Sequence, residues 1–102
     1  MSAVISTRFF RTIPGKETEA LQFLTKHIGE VKALFSGLEV TATWRVGGAS
    51  GDCMIISRAA SGQALEDLRN KAIKAGLAGK LSHPAPGIFS RIEDAFWADL
   101  PE

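Results

Sequence analysis

Tyrosine is missing from this 102-residue chain, and cysteine, asparagine and net charge are all scarce. The missing tyrosine removes one common catalytic acid. The lone cysteine, Cys53, excludes an internal disulfide and a cysteine metal cluster, and an inert, buried thiol is the favoured interpretation. A formal net charge of +1 provides no global field toward nucleic acid or an acidic membrane. Neither is therefore expected as a partner.

Long apolar runs are also missing. No run approaches the ~18 apolar residues of a membrane span, and the N-terminus lacks the apolar core and cleavage site of a signal peptide. A cytoplasmic protein without a membrane partner is therefore the prediction. The hydrophobic fraction of 45% and the charged fraction of 23% are ordinary globular values, and the length predicts a single domain covering residues 1–102.

The periodicity of apolar residues predicts six elements in the order β-α-β-β-α-β. Strands are expected at 3–11, 38–46, 53–58 and 88–97. The first helix is expected to begin near Glu17 and to end at Ser36 and Gly37, and the second to follow Ser61 as its N-cap. Residues 47–52 form a predicted hairpin loop. This order is that of the ferredoxin-like α+β fold, a four-stranded antiparallel sheet with both helices on one face.

The two central strands of that sheet are apolar on both faces. In the first strand, Val4 and Phe10 lie on one face while Ile5 and Phe9 lie on the other. Two helices can cover only one face, and a second copy of the same sheet is the simplest cover for the other. We therefore expect a homodimer formed face to face through the sheets.

The stretch RTIPGKETEAL, from Arg11 to Leu21, together with this element order, resembles the dimeric α+β barrel superfamily. That superfamily includes NIPSNAP-like proteins and antibiotic-biosynthesis monooxygenases. The resemblance implies a cleft between sheet and helices that binds a small hydrophobic or aromatic molecule, with no cofactor. It implies either a cofactor-independent monooxygenase or isomerase, or a non-catalytic NIPSNAP-like binding or scaffold protein. Whether the chain is an enzyme is left open.

The known site patterns of that superfamily match this chain poorly. The quinol oxygenases use Asn, Trp and Tyr, whereas Asn70 is the only asparagine here and tyrosine is missing. The heme-degrading members use an Asn on strand one, a Trp on strand three and a His on helix two. Here strand one offers Ser6, Thr7 and Arg8, and the other two positions are unmatched. These departures argue against assigning either chemistry.

Two candidate catalytic residues emerge from the patterns. His27 falls among the apolar positions of the first helix, so it is either a neutral buried histidine bonded to a backbone carbonyl or a general base in the cleft. Arg8 lies inside the first strand. It either pairs with Glu93 or Asp94 across the sheet or clamps an anionic substrate.

Three aromatic residues are the candidates for the substrate-binding wall, namely Trp44, Phe9 and Phe10. For Trp44, core packing or a dimer contact is the competing interpretation. His83 is expected on a solvated loop, with a role at the cleft mouth as the alternative. The spacing of the histidines and acidic residues matches no metal motif, so no metal site is expected.

Overall fold

The computed structural model describes residues 4–35, 38–46 and 51–98. The elements are β1 (Val4–Thr12), α1 (Glu17–Leu34), β2 (Glu39–Trp44), β3 (Asp52–Ala59), α2 (Gly62–Leu77) and β4 (Phe89–Ala98). The strands form one antiparallel sheet in the order β2-β3-β1-β4. The predicted ferredoxin-like arrangement is confirmed, with predicted strand ends displaced by only one or two residues. The predicted α1 stop at residues 36 and 37, and residues 47–50 of the predicted hairpin loop, lie outside the described ranges.

Local sequence signals account for where the helices begin. Gly15 has a φ of +89°, a conformation that favours glycine, and it turns the chain from β1 into α1. Glu17 and Glu19 then occupy the first turn of α1, where negative charge is favourable. In α2 the predicted cap is confirmed, because Ser61 Oγ accepts a hydrogen bond of 3.1 Å from the Ala64 N–H.

Strand register divides the sheet residues between two faces. In β1, Phe10 pairs with Cys53 of β3 and with Ile92 of β4, and even-numbered residues face the helices. We call this side the helix face. Its core comprises five buried apolar residues, Phe10, Leu24, Val40, Cys53 and Ile55. Burial also raises the pKa of the Cys53 thiol, which matches the predicted inert residue.

The opposite side, which we call the open face, has an apolar centre. It comprises the odd-numbered residues of β1 and their neighbours on β3 and β4, including Ile5, Phe9, Met54, Ile56 and Trp97. Trp97 is 57% exposed, and its Nε1–H donates a 2.8 Å hydrogen bond to Thr7 Oγ1. No helix of the described residues packs on this face.

One buried carboxylate fixes the β2–β3 hairpin to β1. Asp52 is 3% exposed and accepts hydrogen bonds from Arg11 Nε at 3.2 Å and from Arg45 Nη1 at 3.0 Å. These bonds lower the pKa of Asp52, that from Arg11 having the largest effect. The cluster therefore has a structural explanation.

Candidate functional site

A cleft of about 500 Å³ lies between the helix face and the two helices. This volume falls within the range of small-molecule sites, roughly 300–1,000 Å³. The cleft lies over β3, β1 and β4. Its apolar lining includes Phe23 and Val31 of α1, Leu68 and Ile73 of α2, and Ile92 and Phe96 of β4.

The cleft opens beside β4, one of the two edge strands of the sheet. Ile92 is 46% exposed and Phe96 is 56% exposed, while Ile73 and Leu77 on α2 are 54% and 86% exposed. Four large apolar side chains thus reach solvent around one opening. Such a concentration is unusual on a protein surface and is typical of binding sites.

His27 lies in the wall formed by α1. Its ring stacks on Phe23, with centroids 5.3 Å apart and planes 28° from parallel. Its Nδ1 lies 3.1 Å from the carbonyl oxygen of Ser82. Because a carbonyl only accepts, Nδ1 carries the proton and Nε2 is left as an acceptor.

Burial is the main reason that the pKa of His27 is lowered from 6.5. Arg8 and His83 lower it further, whereas the Ser82 carbonyl and Glu30 act in the opposite direction. At neutral pH His27 is therefore a neutral base with an unprotonated Nε2. The carbonyl bond is the one expected of a structural histidine, and the position in the cleft is the one expected of a functional histidine.

The segment following α2 closes one end of the cleft and is anchored at three points. Leu81 is buried, and Ser82 donates to Glu30 Oε1 from its backbone N–H at 2.9 Å and from its Oγ at 2.5 Å. His83 packs on Gly76, where an added Cβ would come within 3.2 Å of its ring.

His83 is exposed, as predicted, and it also lines the cleft beside His27. The anchoring of its segment was not foreseen from the sequence. Glu30 lies three residues after His27 on α1, and only this i, i+3 spacing linked the two residues in the sequence.

Arg8 forms a bidentate ion pair with Asp94, one of the two predicted partners. Its Nε and Nη2 donate to the two carboxylate oxygens at 2.7 and 2.9 Å. The pair lines the cleft but remains about half exposed. The bond raises the pKa of Arg8 and lowers that of Asp94, so both groups are charged at neutral pH. Arg69 of α2 lies near this carboxylate.

The aromatic wall differs from the one predicted. Phe10 lines the cleft, but it is only 2% exposed and forms part of the core floor. Phe9 is not part of the cleft, because adjacent strand residues point to opposite faces and Phe9 lies on the open face. Trp44 is on the helix side of β2, but β2 contributes no residue to the cleft lining. The other phenylalanines of the cleft lining are Phe23, Phe35 and Phe96.

Two findings concern metals and membranes. Within the described ranges, no group of three or more histidine, cysteine, aspartate and glutamate side chains is placed to hold a metal ion. Of the helices that the structure describes, none is long and apolar enough to cross a membrane.

No family model and no curated protein matches this sequence, but solved structures do. An uncharacterized NIPSNAP domain protein from Burkholderia xenovorans is 12% identical, with a TM-score of 0.74 covering 97% of this chain and 94% of that chain. A NIPSNAP family protein from Agrobacterium tumefaciens is 17% identical, with a TM-score of 0.72 covering 98% and 93%. A protein of unknown function from Nitrosomonas europaea is 18% identical, with a TM-score of 0.65 covering 100% and 93%.

These similarities confirm the expected architecture. The class they define is the ferredoxin-like α+β fold. Within that class, the chain has the fold of NIPSNAP proteins along nearly its whole length. At these identities the similarity shows the fold alone, and two of the three neighbours are described as uncharacterized or of unknown function.

Proposed function

We propose that this protein binds a small, hydrophobic, planar molecule in the cleft between the helix face and the helices. The observation that carries the proposal is the open volume of about 500 Å³. Its lining is mainly apolar with a minority of polar groups, which is the usual composition of a ligand pocket. Phe23 of α1 and Phe96 of β4 both line the cleft and offer aromatic surface to a planar ligand.

The polar groups indicate which ligand chemistry fits. His27 uses its Nδ1–H on Ser82, so Nε2 offers an acceptor and favours a ligand hydroxyl. Arg8 and Arg69 place positive charge in the same lining, partly offset by Asp94. An aromatic molecule with a hydroxyl group therefore fits better than a purely aliphatic one.

A second candidate function is proton transfer to or from such a ligand. His27 has the lowered pKa and unprotonated nitrogen of a general base, and Arg8 would stabilise an aromatic oxyanion. The NIPSNAP neighbours support no oxygenase chemistry, since their descriptions state no activity. The non-catalytic binding function is therefore our first proposal.

We also propose that the open face pairs with a second copy of the chain. Its centre is apolar, and it carries two ion pairs, Glu39 of β2 with Arg58 of β3 and Arg91 with Glu93 on β4. These two pairs add no net charge to the face that would meet its own copy. Sedimentation at micromolar concentration should show twice the monomer mass of 10.9 kDa. A monomer alone would contradict the pairing.

Binding can be tested by calorimetry with 1-naphthol and two matched variants. Ala72→Phe fills the cleft from α2, while Ala33→Phe makes the same change on an exposed position of α1. Ala72→Phe should weaken binding by about tenfold, because the added ring would overpack a cleft that also holds the ligand. Ala33→Phe should leave the affinity unchanged. Equal affinities for both variants would contradict a ligand in the cleft.

Proton transfer has its own test. Solvent deuterium exchange into the ring of 1,3-dihydroxynaphthalene should be faster with the native protein than with His27→Gln. Binding of this compound without any acceleration of exchange would leave the non-catalytic function and would refute the second candidate.

A further inference from the structure

We propose that Glu30 is a positioning residue for His27, acting through Ser82 to hold the imidazole in the tautomer that leaves Nε2 unprotonated. The functional meaning of this inference rests on the proposed binding function, because Nε2 is the atom offered to a ligand. The linkage itself is a property of the free protein. It can therefore be tested without any ligand.

The three residues form a closed structural unit. Glu30 and His27 lie on adjacent turns of α1, and Ser82 bridges them from the segment that follows α2. Glu30 Oε1 accepts both the Ser82 N–H, at 2.9 Å, and the Ser82 hydroxyl, at 2.5 Å. The Ser82 carbonyl then faces His27 Nδ1 at 3.1 Å. Two donors on a single carboxylate oxygen hold the backbone and the side chain of Ser82, and its carbonyl projects toward His27 from the other side of the Cα.

The orientation of the carbonyl decides the chemistry of the histidine. An imidazole without a fixed partner exchanges between two neutral tautomers, and the partner of one nitrogen selects which nitrogen keeps the proton. The Ser82 carbonyl selects Nδ1–H. No described residue hydrogen-bonds Nε2, so this nitrogen is available in the cleft lining.

The other anchors of the segment act on the residues on either side of Ser82, and not on Ser82 itself. Leu81 is buried and His83 packs on Gly76, and Pro84 stiffens the following backbone. Loss of Glu30 would leave these contacts in place. We therefore expect its removal to release Ser82, and with it the fixed tautomer of His27, rather than to unfold the protein.

Because of the charges around His27, its pKa is a second readout. Glu30 raises the pKa of His27 through its charge, whereas Arg8 and His83 lower it. Glu30→Gln removes the charge but keeps a carbonyl oxygen that can accept from Ser82. Glu30→Ala removes both the charge and the acceptor. Comparing these two variants separates electrostatics from positioning.

The experiment is long-range ¹H–¹⁵N NMR of the histidine rings in the ligand-free full chain above pH 7. In the native protein and in Glu30→Gln, His27 should show a protonated Nδ1 and an unprotonated Nε2. In Glu30→Ala, the two nitrogen shifts should move toward each other, as in a tautomer mixture. Glu19→Ala, an exposed glutamate on the same helix, is the control and should leave the native shifts.

A Glu30→Ala variant with native His27 shifts would overturn the inference. Should that variant fail to fold, Ser82→Ala can be measured in its place, since it removes one of the two bonds to Glu30. Ser82→Ala should give an intermediate tautomer mixture. Native His27 shifts in this variant would also overturn the inference. Affinity for 1-naphthol should fall about 2- to 10-fold in Glu30→Ala, the contribution of one hydrogen bond. If naphthol does not bind native protein, the proposed function fails, and the tautomer result still decides the role of Glu30.

Discussion

Arg8 and Asp94 pair within the cleft, and replacing Asp94 should alter ligand preference far more than stability. The pair has favourable geometry, with two parallel hydrogen bonds of 2.7 and 2.9 Å. However, the two side chains are 51% and 49% exposed. Water therefore already solvates both charges. When the pair is broken, hydration of the separated charges compensates for much of the lost electrostatic attraction.

The exposure of the two side chains determines the size of the coupling free energy between them. Exposed ion pairs contribute about 0.2–1 kcal/mol in double-mutant cycles, and bidentate arginine pairs lie near the upper end. We expect about 1 kcal/mol of coupling here. With a urea m-value of about 1–3 kcal/mol per molar, this corresponds to a midpoint shift of about 0.3–1 M.

The assay is urea unfolding of the native protein, Arg8→Gln, Asp94→Asn and the double variant. The binding arm compares 2-naphthoate with 1-naphthol. Asp94→Asn frees the Arg8 guanidinium for an anion, so the affinity for naphthoate should rise relative to that for naphthol. A coupling of about 3 kcal/mol or more, typical of a broken buried pair, would contradict a solvated, weakly coupled pair. An unchanged preference between the two ligands would contradict the freeing of the Arg8 guanidinium for an anion.

Three further predictions concern stability. Phe10→Ala should lower the free energy of unfolding by about 3–5 kcal/mol, whereas Phe96→Ala, at a half-exposed position, should have little effect. Equal decreases in the free energy of unfolding, measured by urea denaturation, would contradict the assigned core. The pKa of His27 is lowered on folding, so the unfolded chain binds the proton first and stability should fall as pH drops through about 6.5. His27→Gln should remove this part of the pH dependence. The pKa of Asp52 is also lowered, so its contribution is lost only as pH falls below about 4, and Asp52→Asn should show a smaller acid loss than the native protein.

Strand and helix order could be predicted from this sequence because each element carries a strong periodic signal. The alternation in β2 and the 3–4 spacing in α1 leave little ambiguity about element type. The Ser61 cap was also predictable, because a side-chain oxygen before a helix has one clear use. These signals are local, and the fold follows from their order.

The candidate site was predictable only in part, because it depends on contacts distant in sequence. His27 and Arg8 were identified from their faces of α1 and β1. The sequence could not separate Phe9 from Phe10, because they are equally aromatic and only the register shows that Phe10 faces the helices. The Glu30–Ser82 contact spans 52 positions, and no local pattern encodes it.

Occupation of the cleft by a planar aromatic molecule can be observed in an amide chemical-shift map with 1-naphthol. Saturable shifts are expected at Phe23, Ser57 and Gly76, which represent α1, the sheet and α2 around the cleft. Amides of open-face residues such as Thr43 and Met54 should not move. Shifts confined to the open face, or no saturable shift at millimolar naphthol, would contradict the account.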